Sequence, residues 1–276
     1  MTLGILGNIG FTKVKVGQTE GPLTIGGAAY GIALGAASAG LTPEIYSVVG
    51  SDFPKATLTE LNSKICCNNL LRVTNDQTGR FDFEYSGSRP EPLITWKSNV
   101  LTQMQSFAVT ARPLVNWLHI CAMRPLSDID GLSLAKNRHI SLSFISSSIA
   151  NILPACHRTL QLSSLAFFNK FELESFQSVT REPTLFPPRL ITTNKDAIRV
   201  FERGKEQLCK TIHAKETVTD PTGAGDSFAG AVIARVMLGD TLDCAIAFGI
   251  EVAEHVVCDW GLTALERQLF GKCFRF

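Results

Sequence analysis

Short runs of aliphatic, β-branched and aromatic residues recur at 3–9, 44–49, 116–122, 139–145, 164–168 and 189–193. Runs this short and this continuous predict strands buried on both faces of a parallel sheet. Between them, apolar positions at helical spacing predict helices over 26–39, 54–63, 171–179, 226–239 and 241–258. Asp240 or Thr241 caps the last of these, with Asp243 in its first turn. Alternating strands and helices predict an α/β fold: a mostly parallel sheet between helices on both faces.

Two segments depart from this rhythm. Residues 12–25, TKVKVGQTEGPLTI, alternate like a solvent-washed strand pair, with a turn expected at Glu20-Gly21-Pro22. In RFDFEYS, residues 80–86, Phe81, Phe83 and Tyr85 share one face and Asp82, Glu84 and Ser86 the other. Strict alternation predicts a half-exposed antiparallel strand. Together the two excursions predict a small β lid, from about 12–25 and 80–90, on one domain spanning 1–276. An apolar face such as Phe81, Phe83 and Tyr85 needs a cover, either the body's cleft or the lid of a second copy, so a homodimer through the lid is expected.

Composition narrows the function classes. The 276 residues carry 26 Lys and Arg against 25 Asp and Glu, a net charge of +1, which argues against a nucleic-acid or anionic-membrane surface. The longest apolar segments, 26–41 and 227–239, are rich in Gly and Ala or broken by Arg235, so no membrane span is expected. The start MTLGILGNIGFTKV lacks a basic region and a small-residue cleavage site, so no signal peptide is expected. Eight cysteines include no C-x-x-C, which fits reduced thiols in the cytoplasm. Five histidines show no zinc-site spacing. The glycines of GILGNIG are spaced G-x-x-G-x-x-G and run into a strand, which excludes a dinucleotide fingerprint.

The strongest chemical signal is DPTGAGDSFAGAVIARVMLG, residues 220–239. A glycine-rich turn entering a helix exposes backbone N–H groups at the positive end of the helix dipole, a place for a phosphate. It is not a Walker loop, since no G-K-S or G-K-T occurs in the chain. Asp226 at the helix start reads equally as a cap or as a base. An anion nest beside an aspartate fits phosphoryl transfer, the nest taking developing charge and the carboxylate accepting a hydroxyl proton.

These residues resemble the signature of the ribokinase, or PfkB-type carbohydrate kinase, family. GGAAYGIALGAASAG at 26–40, YSVVGSDFP at 46–54 and NKFE at 169–172 resemble further motifs of that family, in its order and across nearly the whole chain. The resemblance implies a ribokinase-like fold and ATP-dependent phosphorylation of an alcohol on a small sugar, polyol or nucleoside. It implies that Asp226 is the catalytic base and that Gly223, Ala224 and Gly225 form the anion hole. Asn169 and Glu172 are implied at Mg²⁺ and the nucleotide phosphates, and Thr192 and Asn194 at the nucleotide loop, with helix 241–258 flanking adenine. Asn194 stands where glycine is usual and is expected to tolerate left-handed angles. Asn8, Thr12, Gly26 and Gly27 are implied on the substrate side, Gly26 and Gly27 also as the lid hinge. The family leaves room for a monovalent cation beside the loop. Two departures bear on the acceptor: Thr12 replaces the usual aspartate and Gly31 the usual asparagine, with Tyr30 beside it. A less hydroxylated, stackable acceptor such as a nucleoside would suit these changes. A catalytically silent binding homologue is the non-enzyme alternative, against which the retained Asp226, Asn169 and Glu172 speak.

Overall fold

A computed structural model describes residues 1–87, 93–97, 100–111, 113–121, 139–144, 159–179, 186–194, 196–212 and 218–276. Its larger sheet has nine strands. They are β1 (Leu3–Leu6), β5 (Glu44–Gly50), β6 (Leu70–Val73), β9 (Trp117–Cys121), β10 (His139–Ser143), β11 (Leu165–Asn169), β12 (Arg189–Thr193), β13 (Ala197–Glu202) and β14 (Lys205–Thr211). Their order is β14-β13-β12-β11-β10-β9-β1-β5-β6. From β12 to β6 every pairing is parallel; β13 and β14 form an antiparallel hairpin at one edge.

Alternation along the strands assigns each side chain to one of two cores. Leu165 and Phe167 face one cluster, whereas Ala166 and Phe168 face the other. The first cluster is covered by helices α1 (Ala28–Ser38), α5 (Ala224–Met237), α6 (Leu242–Val256) and α7 (Thr263–Phe270). The second is covered by Met104 of α3 (Met104–Ala111) and Phe176 of α4 (Lys170–Val179). A further helix, α2 (Lys55–Leu61), buries Leu61 in the first cluster. Burying one such Phe or Leu contributes about 1.5–3 kcal/mol, so both layers are needed to hold the sheet.

Glycine sets how closely the first layer packs. A Cβ at Gly35 of α1 would collide with the Ser227 carbonyl, and one at Gly230 of α5 with the Ile32 carbonyl. The two helices therefore touch backbone to backbone, which ties the 26–40 motif rigidly to the 220–239 motif.

The smaller sheet is the lid, built from β2 (Gly10–Val16), β3 (Thr19–Glu20), β4 (Thr24–Gly26), β7 (Arg80–Tyr85) and β8 (Leu93–Lys97). Only Gly7–Ile9 separate β1 from β2, and β4 passes through Gly27 into α1. The lid thus grows from the C-terminal ends of the central strands. Its base is also held by Asp52, whose Oδ1 accepts both the backbone N–H and the hydroxyl of Thr78, each at 2.7 Å. Gly21 lies flat on the indole of Trp260; a Cβ there would approach the ring to 2.5 Å.

Several expected boundaries move. The hairpin turn lies at Gly17-Gln18, not at Glu20-Gly21-Pro22, because Gly17 supplies the positive φ of +59° that a two-residue loop needs. Residues 24–26 are a strand paired with β2, so α1 begins at Ala28. Within the lid β2 and β7 run parallel, and β7 is antiparallel to β8 instead. β6, α3, α7 and the β13–β14 hairpin carried no clear sequence signal. Residues 122, 145, 181–185 and 88–92, where parts of two strands, a connector and the lid were expected, lie outside the described residues, as does Cys156.

Candidate active site

The cleft lies at the C-terminal ends of the parallel strands, where open α/β sheets bind ligands. Asn8 follows β1, Asn169 ends β11, and Thr193 ends β12. The loop 220–225 closes the same end of the sheet.

The two aspartates that bracket this loop have different surroundings. Asp220 is buried and accepts the Thr222 N–H at 2.8 Å and the Gly261 N–H at 2.7 Å, so it braces the loop against the turn after α6. Burial pushes its carboxyl upward, opposed by those hydrogen bonds. Gly223 is the N-cap of α5 with φ +82°, a left-handed angle, and a Cβ there would lie 2.7 Å from Leu262. Gly223 has no side chain with which to cap α5, and Asp226 stands in the first turn, where an acidic side chain is favoured. Asp226 is half-buried in the first turn, and burial pushes its carboxyl up to about 7. A Cβ at Gly31 would come 2.9 Å from the Asp226 Cβ; the glycine in place of asparagine is what lets α1 pass this close.

Gly225 is exposed and has no positive φ, so its value is space, not backbone freedom. Among the described residues a Cβ there would meet only Thr193 Oγ1, at 3.9 Å. Thr193 is therefore the threonine that approaches the loop. Thr192, the residue implied for the nucleotide loop, is buried one position earlier on the strand. Asn194 does not adopt a left-handed angle: among the described residues Arg203 is the one non-glycine with positive φ. The turn expected of a glycine substitute is not made there.

Asn169 and Glu172 form a reciprocal cap on α4. The Glu172 carboxylate accepts the Asn169 N–H at 2.7 Å, and Asn169 Oδ1 accepts the Glu172 N–H at 2.8 Å. This fixes a buried carboxylate at the end of β11. Among the described residues no group of three acidic, His or Cys side chains could hold a metal ion.

On the substrate side, Gly27 has φ +96°, and a Cβ there would lie 2.5 Å from the Asn8 carbonyl, so the hinge is moulded onto Asn8. Gly26 lies directly against the Thr12 side chain. Asn8 Oδ1 and Thr12 Oγ1 are both buried without a hydrogen-bond partner among the described residues. Buried polar atoms are rarely left so unless something else satisfies them. Tyr30 does not face the cleft. It is fully buried and donates to Glu266 Oε1 at 3.0 Å, so it offers no stacking surface to an acceptor. The reason is position: Tyr30 projects from α1 toward α7.

A wound α/β body, a β lid and a glycine-rich helix entry beside a half-buried carboxylate define a phosphotransferase of the ribokinase fold. The chain belongs to the pfkB family of carbohydrate kinases, whose sequence profile matches residues 8–268. It is 24% identical over 250 residues to a cytidine kinase of Thermococcus kodakarensis, covering 86% of this chain and 88% of that one. The nucleoside kinase of Methanocaldococcus jannaschii, an archaeal member of the ribokinase family, superposes with a TM-score of 0.77 at 19% identity, covering 95% of this chain and 93% of that one. Burkholderia thailandensis nucleoside kinase, solved with inosine, gives a TM-score of 0.80 at 14% identity over the whole of both chains. The same enzyme has also been solved in complex with ADP-inosine.

Proposed function

We propose that this kinase transfers the γ-phosphoryl group of ATP to a hydroxyl of a nucleoside. The observation that carries the reading is Asp226: a half-buried carboxylate, raised to about 7, beside an uncapped helix N-terminus. A base with that value is half ionised near neutral pH, where proton acceptance is most effective. Asp226 takes the proton of the acceptor hydroxyl as its oxygen bonds to the γ-phosphorus. The bond to the bridging oxygen breaks, and ADP leaves with the electron pair. The Ala224 N–H donates to the Pro221 carbonyl at 3.3 Å, so the N–H groups of Gly223 and Gly225 are the ones we assign to the negative charge that develops, with Ala224 joining only if that bond is exchanged.

The donor set suits hydrated Mg²⁺ and not a bare ion. Asn169 and Glu172 already accept hydrogen bonds from each other's backbone, and no third carboxylate joins them among the described residues. Mg²⁺ commonly keeps its waters and binds through one or two carboxylates and substrate phosphates. Held by Glu172 and Asn169 through water, it supplies charge neutralisation on the phosphates.

The acceptor class is supported by the cytidine kinase and nucleoside kinases this chain resembles. Asn8 Oδ1 and Thr12 Oγ1, unpartnered and buried, are the groups we assign to acceptor hydroxyls. A free sugar is the second reading, favoured by the family's carbohydrate kinases. ATP consumption with Mg²⁺ across cytidine, inosine, other ribonucleosides and free pentoses and hexoses decides between them. Turnover with ribonucleosides is expected; turnover with free sugars alone would overturn the nucleoside reading.

Two further parts of the reading concern setting. The seven described cysteines are free thiols, and no described helix is long and apolar enough to cross a membrane, which supports a cytoplasmic enzyme. The β8 edge exposes Leu93 and Ile94, the surface through which two lids would pair. A monomer in sedimentation at high concentration would remove that pairing.

A further inference from the structure

The last aromatic residue of β7 ends on the anion loop. The Thr222 hydroxyl donates to the Tyr85 phenol oxygen across 3.0 Å, joining positions 137 residues apart. The Tyr85 carbonyl accepts the Gly17 N–H at 3.0 Å, so the hairpin turn of the lid fixes the same residue from behind. Thr222 immediately precedes Gly223, the N-cap of α5, and its own N–H is held by Asp220. The phenol is therefore seated beside the open end of the helix by contacts from both lid and body.

The phenol also remains a donor. Burial pushes it up to about 12; the Thr222 hydrogen bond opposes this, and the Asp220 and Asp226 carboxylates add to it. Having accepted from Thr222, the oxygen still carries a proton, and no acceptor for it is found among the described residues. Among the described residues the charges that act on it, Asp220 and Asp226, are both carboxylates, which repel an anion. A neutral donor there offers a phosphoryl oxygen a hydrogen bond without needing a cation.

We propose that Tyr85 is a phosphoryl-contacting residue supplied by the lid, latched by Thr222 and donating its O–H to an oxygen of the group held at the start of α5. The proposal rests on the kinase reading above. It makes the lid part of the anion site itself. The donor is in place only when the lid is down, so transfer is coupled to closure and water is kept from competing as acceptor.

The test combines Tyr85→Phe, Thr222→Val and the double variant, each checked for an unchanged melting temperature. Hydrogen bonds to charged groups have a net worth that corresponds to about ten- to hundredfold. Tyr85→Phe should lower kcat/KM for ATP by about that factor while leaving KM for the acceptor within about threefold. The double variant should be no worse than the poorer single one, because both remove the same latched donor. Pyrophosphate binding by calorimetry, which needs no turnover, should weaken by about tenfold in Tyr85→Phe. Wild-type kcat/KM for ATP and equal pyrophosphate affinity in Tyr85→Phe would overturn the proposal, and fully additive losses would overturn the latch. If the wild type turns over no acceptor, the kinase reading fails by itself. A Tyr85-dependent pyrophosphate affinity would even then support the phenol's contact with a bound anion.

Discussion

At Asp226, function and stability pull in opposite directions. Its folded value of about 7 lies above the ordinary 3.8, so the fold holds this proton more tightly than the unfolded chain does. The stabilising share is complete below the ordinary value and is lost as pH rises through about 7. Asp226→Asn should thus gain stability over the wild type progressively from about pH 5 to about pH 8. Buried Glu266 is also raised to about 7, but the difference between the two proteins isolates Asp226. Turnover should fall by about 10²–10⁴-fold. Equal melting temperatures across the range would mean the carboxylate is well solvated. Glu172→Gln is a sharper probe than its position suggests. Glutamine can still accept the Asn169 N–H, so the α4 cap survives. The expected loss is a raised Mg²⁺ requirement with rescue at high metal; an unchanged metal titration assigns Glu172 to capping alone.

Among elements, the α1–α5 crossing is the most demanding contact. Gly230→Ala places a methyl against the Ile32 carbonyl, and overpacking of this kind costs about 1–3 kcal/mol. Urea unfolding should show that loss, and kcat should fall with it because Asp226 shifts relative to Gly27. An unaltered midpoint would mean the helices slide apart freely. The 26–40 glycines were legible in the sequence as a motif, but not as a packing surface, since only the facing carbonyls reveal why Gly35 must be glycine. The parallel strands other than β6 were legible because burial on both faces leaves unbroken apolar runs such as LAFF, whereas β6, at the sheet's edge, is only partly buried. The hairpin 197–211 was not, because β14 is largely exposed and its residues, KEQLCKT, carry no apolar stripe. The site divides similarly. Asp226 and the glycine loop stand together in sequence. Tyr85 lies far from Thr222 in the chain, and Thr193 differs from Thr192 only in the face of the strand it takes.

Taken as a whole, the molecule joins a deeply buried sheet to a lightly built lid. β1 and β9 are entirely buried, whereas the lid's ion pairs, Lys13–Glu20, Lys15–Glu84 and Arg80–Asp82, are only partly shielded from water. Each such pair contributes about 0–1 kcal/mol, so the outer lid should open well below the global unfolding free energy. Hydrogen exchange should be fast in β3 and β7 and slow in β1 and β9, and ATP with acceptor should slow β7. Protection of β7 equal to that of β1 in the free protein would describe a fixed roof.

The contact of Gly21 with Trp260 gives the molecule an optical signal of its own. The indole is half-buried, the lid base lies on one face of it, and the next residue, Gly261, donates to Asp220 of the anion loop. Any movement of hinge or loop alters the polarity around that ring. Trp96 and Trp117 are the other two emitters. With both replaced by phenylalanine, the emission wavelength of Trp260 becomes an unlabelled, real-time readout of the base of the lid, and stopped-flow mixing with nucleotide or acceptor would time its response to each in turn.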